Sequence, residues 1–379
     1  MTQQPVTETM TVASGQRVLS VDALRGLIMI FMALDHANML LSTGSSGEFW
    51  GGPLPRFSSA GAFWARFVTH LCAPGFFFLM GVGMVYLWHS RREAEWSRSR
   101  ILRLFTARGL LIVVIHFLLS LFFALPQIMA GRFGIVFNVL YILGFSMMAA
   151  AWFLDRSITL MLTAAGVSLV LPELILANGL EYGQSLHPLL HILTVPGPMG
   201  HSQVYYTFFS WFGLTLLGTA FGRWALQHRQ QAFKTLPWIS AAAMAAFMVL
   251  RLANGFGNIR PMEGSGWMSF LLLNKYPPSL TFIFFMMSVN LLLLYVIEKL
   301  PEHWLPPSNP LMVFGRSALF FYILHHFIYI AMMLAGLNGL TLVQMLPLWV
   351  VGVALCYPFC RWYASFKRRQ KPTSRWRML

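Results

Sequence analysis

The stretch LRGLIMIFMALDHANMLL, residues 24–41, decides how this sequence is interpreted. It is almost entirely apolar and approaches the ~20 residues that a helix needs to cross a bilayer. It also contains Asp35 and His36, two ionisable residues of a kind that is costly inside a membrane. The run is long for the apolar region of a signal peptide and lacks a convincing cleavage site. It therefore predicts a membrane-spanning helix that carries a polar site.

The composition extends this prediction to the whole chain. Of 379 residues, 57% are hydrophobic and only 10% are charged, so the chain has more apolar surface than a soluble core can bury. We predict an all-α, polytopic integral membrane protein with about ten transmembrane helices. The predicted spans are 24–43, 63–88, 101–124, 134–153, 157–176, 204–226, 236–254, 279–298, 312–335 and 341–363.

The charge pattern predicts the orientation. Lys and Arg number 27 against 12 Asp and Glu, giving a net charge of +15, but they lie mostly in short loops, which indicates topology rather than nucleic-acid binding. The segments after spans two, six and ten are basic, so the positive-inside rule predicts that both termini are cytoplasmic. We predict a polar N-terminal tail over 1–16, one membrane domain over 17–365 and a basic cytoplasmic tail over 366–379.

Ionisable residues inside the spans are the candidates for function. Asp35 is the only acid deep within a span, and the histidines within spans are His36, His70, His116, His325 and His326. At 1.5 Å per residue, His36 and His325 lie at similar depths. For each histidine, the alternative is a hydrogen bond that only packs helices together. The three cysteines form no metal-type pattern, and no metal site is expected.

His36 is the strongest of these candidates. Arg25 lies close to three helical turns earlier, so the two side chains share one face, ~16 Å apart along the axis. Asp22 is three residues before Arg25 and can pair with it at the helix entrance. Asp35 and His36 point ~100° apart, so they are not expected to face one another. A histidine from the ninth span is a possible partner for Asp35.

Three segments resemble a known family: RVLSVDALRGLIMIFMALDH at 17–36, KYPPSL at 275–280 and FGRSALFFYILHH at 314–326. With the ten-span pattern, they resemble the transmembrane acyltransferase superfamily, specifically the bacterial relatives of heparan-α-glucosaminide N-acetyltransferase. In that family, cytoplasmic acetyl-CoA supplies an acyl group that ends on a sugar across the membrane. The resemblance implies an acyltransferase of the bacterial inner membrane, surrounded by lipid, with acyl-CoA as donor and a carbohydrate or related envelope molecule as acceptor. A homo-oligomer is compatible with this prediction.

The resemblance also implies roles for individual residues. Arg25 would lie near the CoA end of the donor, and His36 near the thioester as general base, oriented by His325 or Asp35. Besides Arg25, the candidate CoA-binding residues are Asp22 and Arg316, at the entrances of spans one and nine. The candidate acceptor-binding residues are Lys275, Tyr276, His70 and Asn290, for which interfacial anchoring or helix packing is the alternative.

One departure from the family limits the mechanism. In the lysosomal branch, a histidine in the outward loop after the first span has been considered as a carrier of the acetyl group, but residues 44–62 contain no histidine. This leaves direct transfer, which we favour, or an intramembrane carrier such as His36. The competing function is a proton-coupled transporter that uses Asp35 and the intramembrane histidines as a relay. No internal repeat of the kind common in transporters is visible.

Overall fold

A computed structural model of the chain describes residues 18–43, 47–129, 134–177 and 179–370. The predicted tail 1–16 and the end of the C-terminal tail lie outside the described residues. The helices are α1 Leu19–Leu41, α2 Ala60–Thr69, α3 Cys72–Glu93, α4 Arg98–Met129, α5 Val139–Ala150, α6 Ile158–Leu176, α7 Pro188–Leu193, α8 Phe208–Gln227, α9 Arg229–Ala253, α10 Trp267–Leu271, α11 Leu280–Glu298, α12 Pro310–Arg316, α13 Ala318–Leu334 and α14 Leu342–Arg369. The strands are β1 Val136–Phe137, β2 Gly197–Met199 and β3 Ser202–Val204.

The predicted all-α membrane fold is confirmed. Among the described residues, seven continuous or joined helices are long and apolar enough to span a bilayer. The pair α12 and α13, bent by 101°, adds an eighth if it is one span. All ten predicted spans fall on helices, but the fourth coincides with the short apolar stretch Val139–Phe153 and the sixth, α8, is not among the eight. The count of ten and the cytoplasmic termini therefore stay predictions.

The second predicted span is broken between α2 and α3. At the break, the backbone N–H groups of His70 and Leu71 donate to carbonyls three residues earlier instead of four. Nδ2 of Asn290 in α11 donates to the Leu71 carbonyl (3.1 Å), which also accepts the Gly75 N–H (3.1 Å). Arg66 in α2 and His70 at its end contact Glu48 in the loop that follows α1.

A small three-stranded sheet lies at the ends of α4 and α8. Its strand order is β1-β3-β2, with β1 parallel and β2 antiparallel to β3. The predicted start of the fourth span, residue 134, is wrong, because residues 136–137 form β1 and helix α5 begins only at Val139. The sheet is joined to the loop after α1 through Trp50, whose Nε1 donates to the carbonyl of Pro196 (2.8 Å).

Helix α1 is central, since it packs against α2, α3, α11, α12, α13 and α14. Its closest approach is to α12, at a pair of glycines. A Cβ on Gly26 would lie 1.9 Å from the carbonyl oxygen of Leu311, and a Cβ on Gly315 would lie 1.8 Å from that of Asp22. Only glycine permits two helix backbones to pack this closely. The contact holds Arg316 beside Asp22 at the start of α1.

We expect Gly315→Ala to destabilise the protein by about 1–3 kcal/mol, because the new methyl group must push backbone apart rather than a flexible side chain. Thermal unfolding in detergent, followed by intrinsic fluorescence, measures the effect. Gly166→Ala in α6 is the matched control, since nothing lies within 4 Å of its added Cβ. Equal melting temperatures for the two variants would contradict the close α1–α12 contact.

Candidate functional site

A chamber of about 1000 Å³ lies among α1, α3, α4, α5 and α13. This volume is at the upper end of ligand-binding cavities. Arg25 and Arg108 line it near the N-terminal ends of α1 and α4, whereas Lys275 and Tyr276 line it beyond the other end of α1. Much of the wall between these charged groups is apolar and rich in methionine, and includes Met29, Met32, Met80, Met84 and Met147.

The Arg25 end carries more positive than negative charge. Asp22 is bound by two guanidinium groups, those of Arg25 (3.1 Å) and Arg316 (3.3 Å). Arg25 also donates to the carbonyls of Gly315 (3.4 Å) and Leu79 (3.3 Å), which fixes its side chain at the chamber wall. One carboxylate shared by two arginines leaves a surplus of positive charge suited to an anionic group.

Three histidines from two helices meet about three turns further along α1. Nδ1 of His36 lies 2.6 Å from Nε2 of His325. His326 and Tyr322 pack on the His36 ring, with centroids 4.3 Å and 5.9 Å from it. His36, His326 and Tyr322 line the chamber, whereas His325 is fully buried behind them.

The backbone fixes which nitrogen of each ring carries the proton. Nδ1 of His325 lies 2.7 Å from the carbonyl oxygen of Phe321. A carbonyl only accepts, so in the neutral ring Nδ1 of His325 holds the hydrogen and Nε2 has a lone pair. His36 must then donate from its own Nδ1 to His325. This leaves Nε2 of His36 as the unprotonated nitrogen, which is the arrangement required of a general base.

The same histidines are a possible metal site. One nitrogen from each of His36, His325 and His326 can be chosen so that all three lie within 4.8 Å of one another. The 2.6 Å separation between His36 and His325 is shorter than the ~3.3 Å between two nitrogens bound to one tetrahedral zinc ion at ~2.0–2.1 Å. This geometry favours a hydrogen bond between the rings, with the proton in the position that a metal would occupy.

A buried charge network lies beside Asp35 on the other face of α1. Arg66 of α2 donates to Asp35 (2.5 Å) and also to both oxygens of Glu48 (2.8 and 2.7 Å). Thr69 donates to Asp35 (3.3 Å), and Nε2 of His70 lies 3.3 Å from Glu48. The predicted partnership between Asp35 and a histidine of the ninth span is therefore wrong, because Arg66 takes that place and His325 faces His36.

Glu48 lies in the loop between α1 and α2, outside the spans. Burial would raise its pKa, but the charges of Arg66 and His70 outweigh burial and hold the pKa well below its usual range. A carboxyl whose pKa is lower in the folded state contributes stability above its unfolded pKa of about 4.3. That contribution is lost as the pH falls from there through the folded pKa.

We expect the Tm difference between wild type and Glu48→Gln to be largest near neutral pH and to shrink as the pH falls below about 4.3, where the wild-type carboxyl begins to lose its advantage. Scanning fluorimetry from pH 7 to pH 3 measures it. Glu263→Gln is the control, since Glu263 is largely exposed, with a side chain 66% accessible. A constant difference across the range would contradict the role of Glu48.

The structure brings some of the predicted site residues together and leaves others apart. His36 and His325 are in contact, and Arg25 and Arg316 share Asp22. The predicted residues that line the chamber are Arg25, Asp35, His36, Lys275 and Tyr276. His70 and Asn290 do not line it, because the first faces Glu48 and the second bonds backbone in the core.

Sequence reasoning missed Arg66 and Glu48. Arg66 lies inside the predicted second span, four residues before His70 and three before Thr69. This spacing puts all three on one helix face, and an arginine on such a face inside a span is a signal for a buried partner. Glu48 lies in a loop and gave no such signal.

The fold and the site together define a class: a polytopic helical membrane protein with a tall internal chamber, cationic at one end and lined by histidines part of the way along. The family model described as heparan-alpha-glucosaminide N-acetyltransferase, catalytic, matches residues 17–251. This is more than half of the chain, and the chain belongs to this family. It is therefore a transmembrane acyltransferase, of a family that in general uses acetyl-CoA as donor and a carbohydrate as acceptor.

The matched stretch contains Arg25, His36 and Arg66 but ends before Lys275, Arg316 and His325. The last three lie outside the match, and the structure places them in or beside the chamber. A comparison with curated proteins found no match. The family match gives no support to the transporter alternative.

Proposed function

We propose that this protein transfers an acetyl or other short acyl group from cytoplasmic acyl-CoA to an amine or hydroxyl of an envelope carbohydrate or related acceptor, with His36 as general base. The observation that carries the proposal is the hydrogen bond between His36 of α1, the helix that also carries Arg25, and His325 of α13. In this proposal both termini are cytoplasmic and the protein lies in the bacterial inner membrane, as the basic segments suggest.

The proposed chemistry is direct transfer. Nε2 of His36 takes the proton from the acceptor N–H or O–H while that nitrogen or oxygen attacks the thioester carbonyl. The C–N or C–O bond forms, the C–S bond breaks, and the CoA sulfur leaves as a thiolate that takes the proton back from His36. His325 stabilises the protonated His36 ring by accepting its Nδ1 hydrogen, and the Phe321 carbonyl holds His325 in the required tautomer.

The charges along the chamber support the proposed direction of transfer. Arg25 lies ~16 Å from His36 along α1, and the arginines at that end exceed the carboxylates. An elongated donor with phosphates at Arg25 and a thioester at the histidines suits this spacing. The proposed phosphate contacts are Arg25 and Arg108, which line the chamber, and Arg316, which lies beside the chamber and shares Asp22 with Arg25.

We expect Arg25→Ala to weaken acetyl-CoA binding about tenfold or more, because charge-assisted hydrogen bonds to phosphate contribute about 1.5–3 kcal/mol each. The measurement is the rise in Tm of purified protein on titration with acetyl-CoA. Arg103→Ala is the matched control, since Arg103 is exposed on α4 and does not line the chamber.

An acetyl-CoA response in the wild type that is lost with Arg25→Ala but kept with Arg103→Ala supports the donor site. If the wild type does not respond to acetyl-CoA, the proposed function is wrong. If both variants respond equally, the protein still binds acetyl-CoA, but the donor site is not at Arg25.

A further inference from the structure

Three aromatic rings pack on the ring of His36, those of His325, His326 and Tyr322. His325 is fully buried behind the chamber wall and accepts the Nδ1 hydrogen of His36. His326 and Tyr322 line the chamber itself. A thioester that reacts next to His36 therefore meets these two side chains.

His326 cannot donate a hydrogen bond to such a thioester while its ring is neutral. Its Nδ1 lies 2.7 Å from the carbonyl oxygen of Tyr322, and a carbonyl oxygen only accepts. Nδ1 of His326 therefore holds the ring hydrogen, and its Nε2 has a lone pair. Nε2 of His36 also has a lone pair, as a general base requires. Neither imidazole on the chamber wall can stabilise a negatively charged carbonyl oxygen.

The hydroxyl group of Tyr322 is the donor that remains among these rings. In the part of the chain that the structure describes, no group forms a hydrogen bond with this hydroxyl. A tyrosine O–H has one hydrogen to donate. Much of the chamber wall is apolar, and in such surroundings a hydrogen bond to a charged oxygen is stronger than in water.

The Tyr322 ring is held in place by the histidines. Its centroid lies 5.9 Å from that of His36 and 5.7 Å from that of His325, both in edge-to-face contacts, and 4.8 Å from that of His326. The Tyr322 backbone is tied to the same group, because its carbonyl accepts the His326 hydrogen. A donor that is fixed before the reaction needs no reorganisation when charge develops.

Tyr322 lies on the donor side of the three histidines. Helices α1 and α13 run in the same direction, because Arg316, just before α13, binds Asp22 near the start of α1, and the histidines meet further along both helices. Tyr322 precedes His326 by four residues, or ~6 Å along α13. A thioester carbonyl that enters from the Arg25 end therefore approaches Tyr322 first.

We propose that Tyr322 is a catalytic residue that donates a hydrogen bond to the thioester carbonyl oxygen of the acyl donor. This rests on the proposed function and adds the group that stabilises its transition state. When the acceptor attacks, the carbonyl oxygen gains a negative charge, which the Tyr322 O–H stabilises without giving up its proton. As the C–S bond breaks, the electron pair on that oxygen restores the C=O bond.

The first test observes the bound donor and needs no acceptor. The full chain in detergent is loaded with acetyl-CoA that carries ¹³C at the acetyl carbonyl. The infrared difference from the sample with unlabelled acetyl-CoA isolates the carbonyl stretch. We expect Tyr322→Phe to move this band to higher wavenumber, because the carbonyl oxygen loses a hydrogen bond.

Tyr205→Phe is the matched control and should leave the band in place. Tyr205 also lines the chamber, but its ring packs on Phe49 and Tyr276 rather than on the histidines. Tyr322→3-fluorotyrosine keeps the ring and the hydroxyl and is a stronger hydrogen-bond donor. We expect it to move the band to lower wavenumber.

The second test measures transfer of radiolabelled acetyl from acetyl-CoA to envelope material in membrane vesicles. Tyr322→Phe is expected to lower kcat by about 10²–10³-fold, the usual cost of one lost oxyanion donor. KM for acetyl-CoA should change little, because this hydrogen bond strengthens mainly in the transition state. Tyr205→Phe is expected to retain the wild-type rate.

A carbonyl band at the same position in the wild type and in Tyr322→Phe would overturn the proposal. Phenylalanine keeps the ring, so a role of Tyr322 in packing alone predicts an unmoved band and an unchanged rate. If Tyr322→Phe does not fold, an unmoved band in Tyr322→3-fluorotyrosine overturns the proposal instead. The absence of any bound acetyl-CoA band in the wild type would remove the proposed function itself, which keeps the two failures apart.

Discussion

His36→Ala is expected to lower acyl transfer by about 10²–10⁴-fold, the usual contribution of a positioned general base. The protein should remain folded, because the backbone bonds of His325 and His326 are independent of His36. Transfer of radiolabelled acetyl from acetyl-CoA to envelope material in membrane vesicles measures the rate. Full activity in this variant would exclude His36 as the base.

Two further histidine variants test the geometry. His325→Ala removes the acceptor of the His36 Nδ1 hydrogen, so we expect a smaller loss of rate than with His36→Ala and an altered pH profile. His116→Ala is the control: His116 also lines the chamber, but its ring lies 3.4 Å from Ser120 and is not part of the His36 group. Equal losses for all three would indicate a general effect on structure.

A labelling experiment with His36→Ala distinguishes direct transfer from a mechanism in which a histidine carries the acyl group covalently. If His36 were itself acylated, brief incubation with labelled acetyl-CoA and no acceptor would leave label on wild-type protein after denaturation but none on His36→Ala. We expect no such label, because direct transfer passes the acyl group from CoA to the acceptor without a covalent intermediate on the protein. Label that depends on His36 would replace direct transfer with an acyl-enzyme.

Arg66→Met is expected to have the largest effect on stability, about 3–5 kcal/mol, because it removes the cation that binds both buried carboxylates, Asp35 and Glu48. Arg66 is the only residue in the described ranges that forms ion pairs with both. Unfolding in mixed micelles, followed by fluorescence, measures the loss. We also expect the loop after α1 to become more sensitive to proteases, since Glu48 links that loop to α2.

The control for Arg66→Met is Arg98→Met. This removes an ion pair with Asp155 in which both side chains are more than 30% exposed, so we expect a change of about 1 kcal/mol or less. Adding Glu48→Gln to Arg66→Met should recover part of the lost stability, because one unpaired charge is removed. A similar loss for both arginine variants would contradict the importance of burial.

Much of the site was predictable because it lies on one helix. The positions of Asp22, Arg25 and His36 along and around α1 follow from 3.6 residues per turn, and the structure keeps α1 unbroken over all of them. The segments at 17–36, 275–280 and 314–326, together with the ten-span pattern, predicted the family. By contrast, Arg66 was overlooked although its spacing to His70 was visible in the sequence.

The sequence by itself determined that the protein lies in a membrane, that it is helical, which family it belongs to and which face of α1 carries Arg25 and His36. Tertiary structure alone decided which residues meet across helices: His325 rather than His326 bonds His36, Arg66 rather than a histidine binds Asp35, and His70 and Asn290 lie outside the chamber. The physical reason is that periodicity fixes neighbours within one helix. Partners on other helices depend on crossing angles, rotation and breaks, such as the one between α2 and α3, which arise only when all the helices pack together.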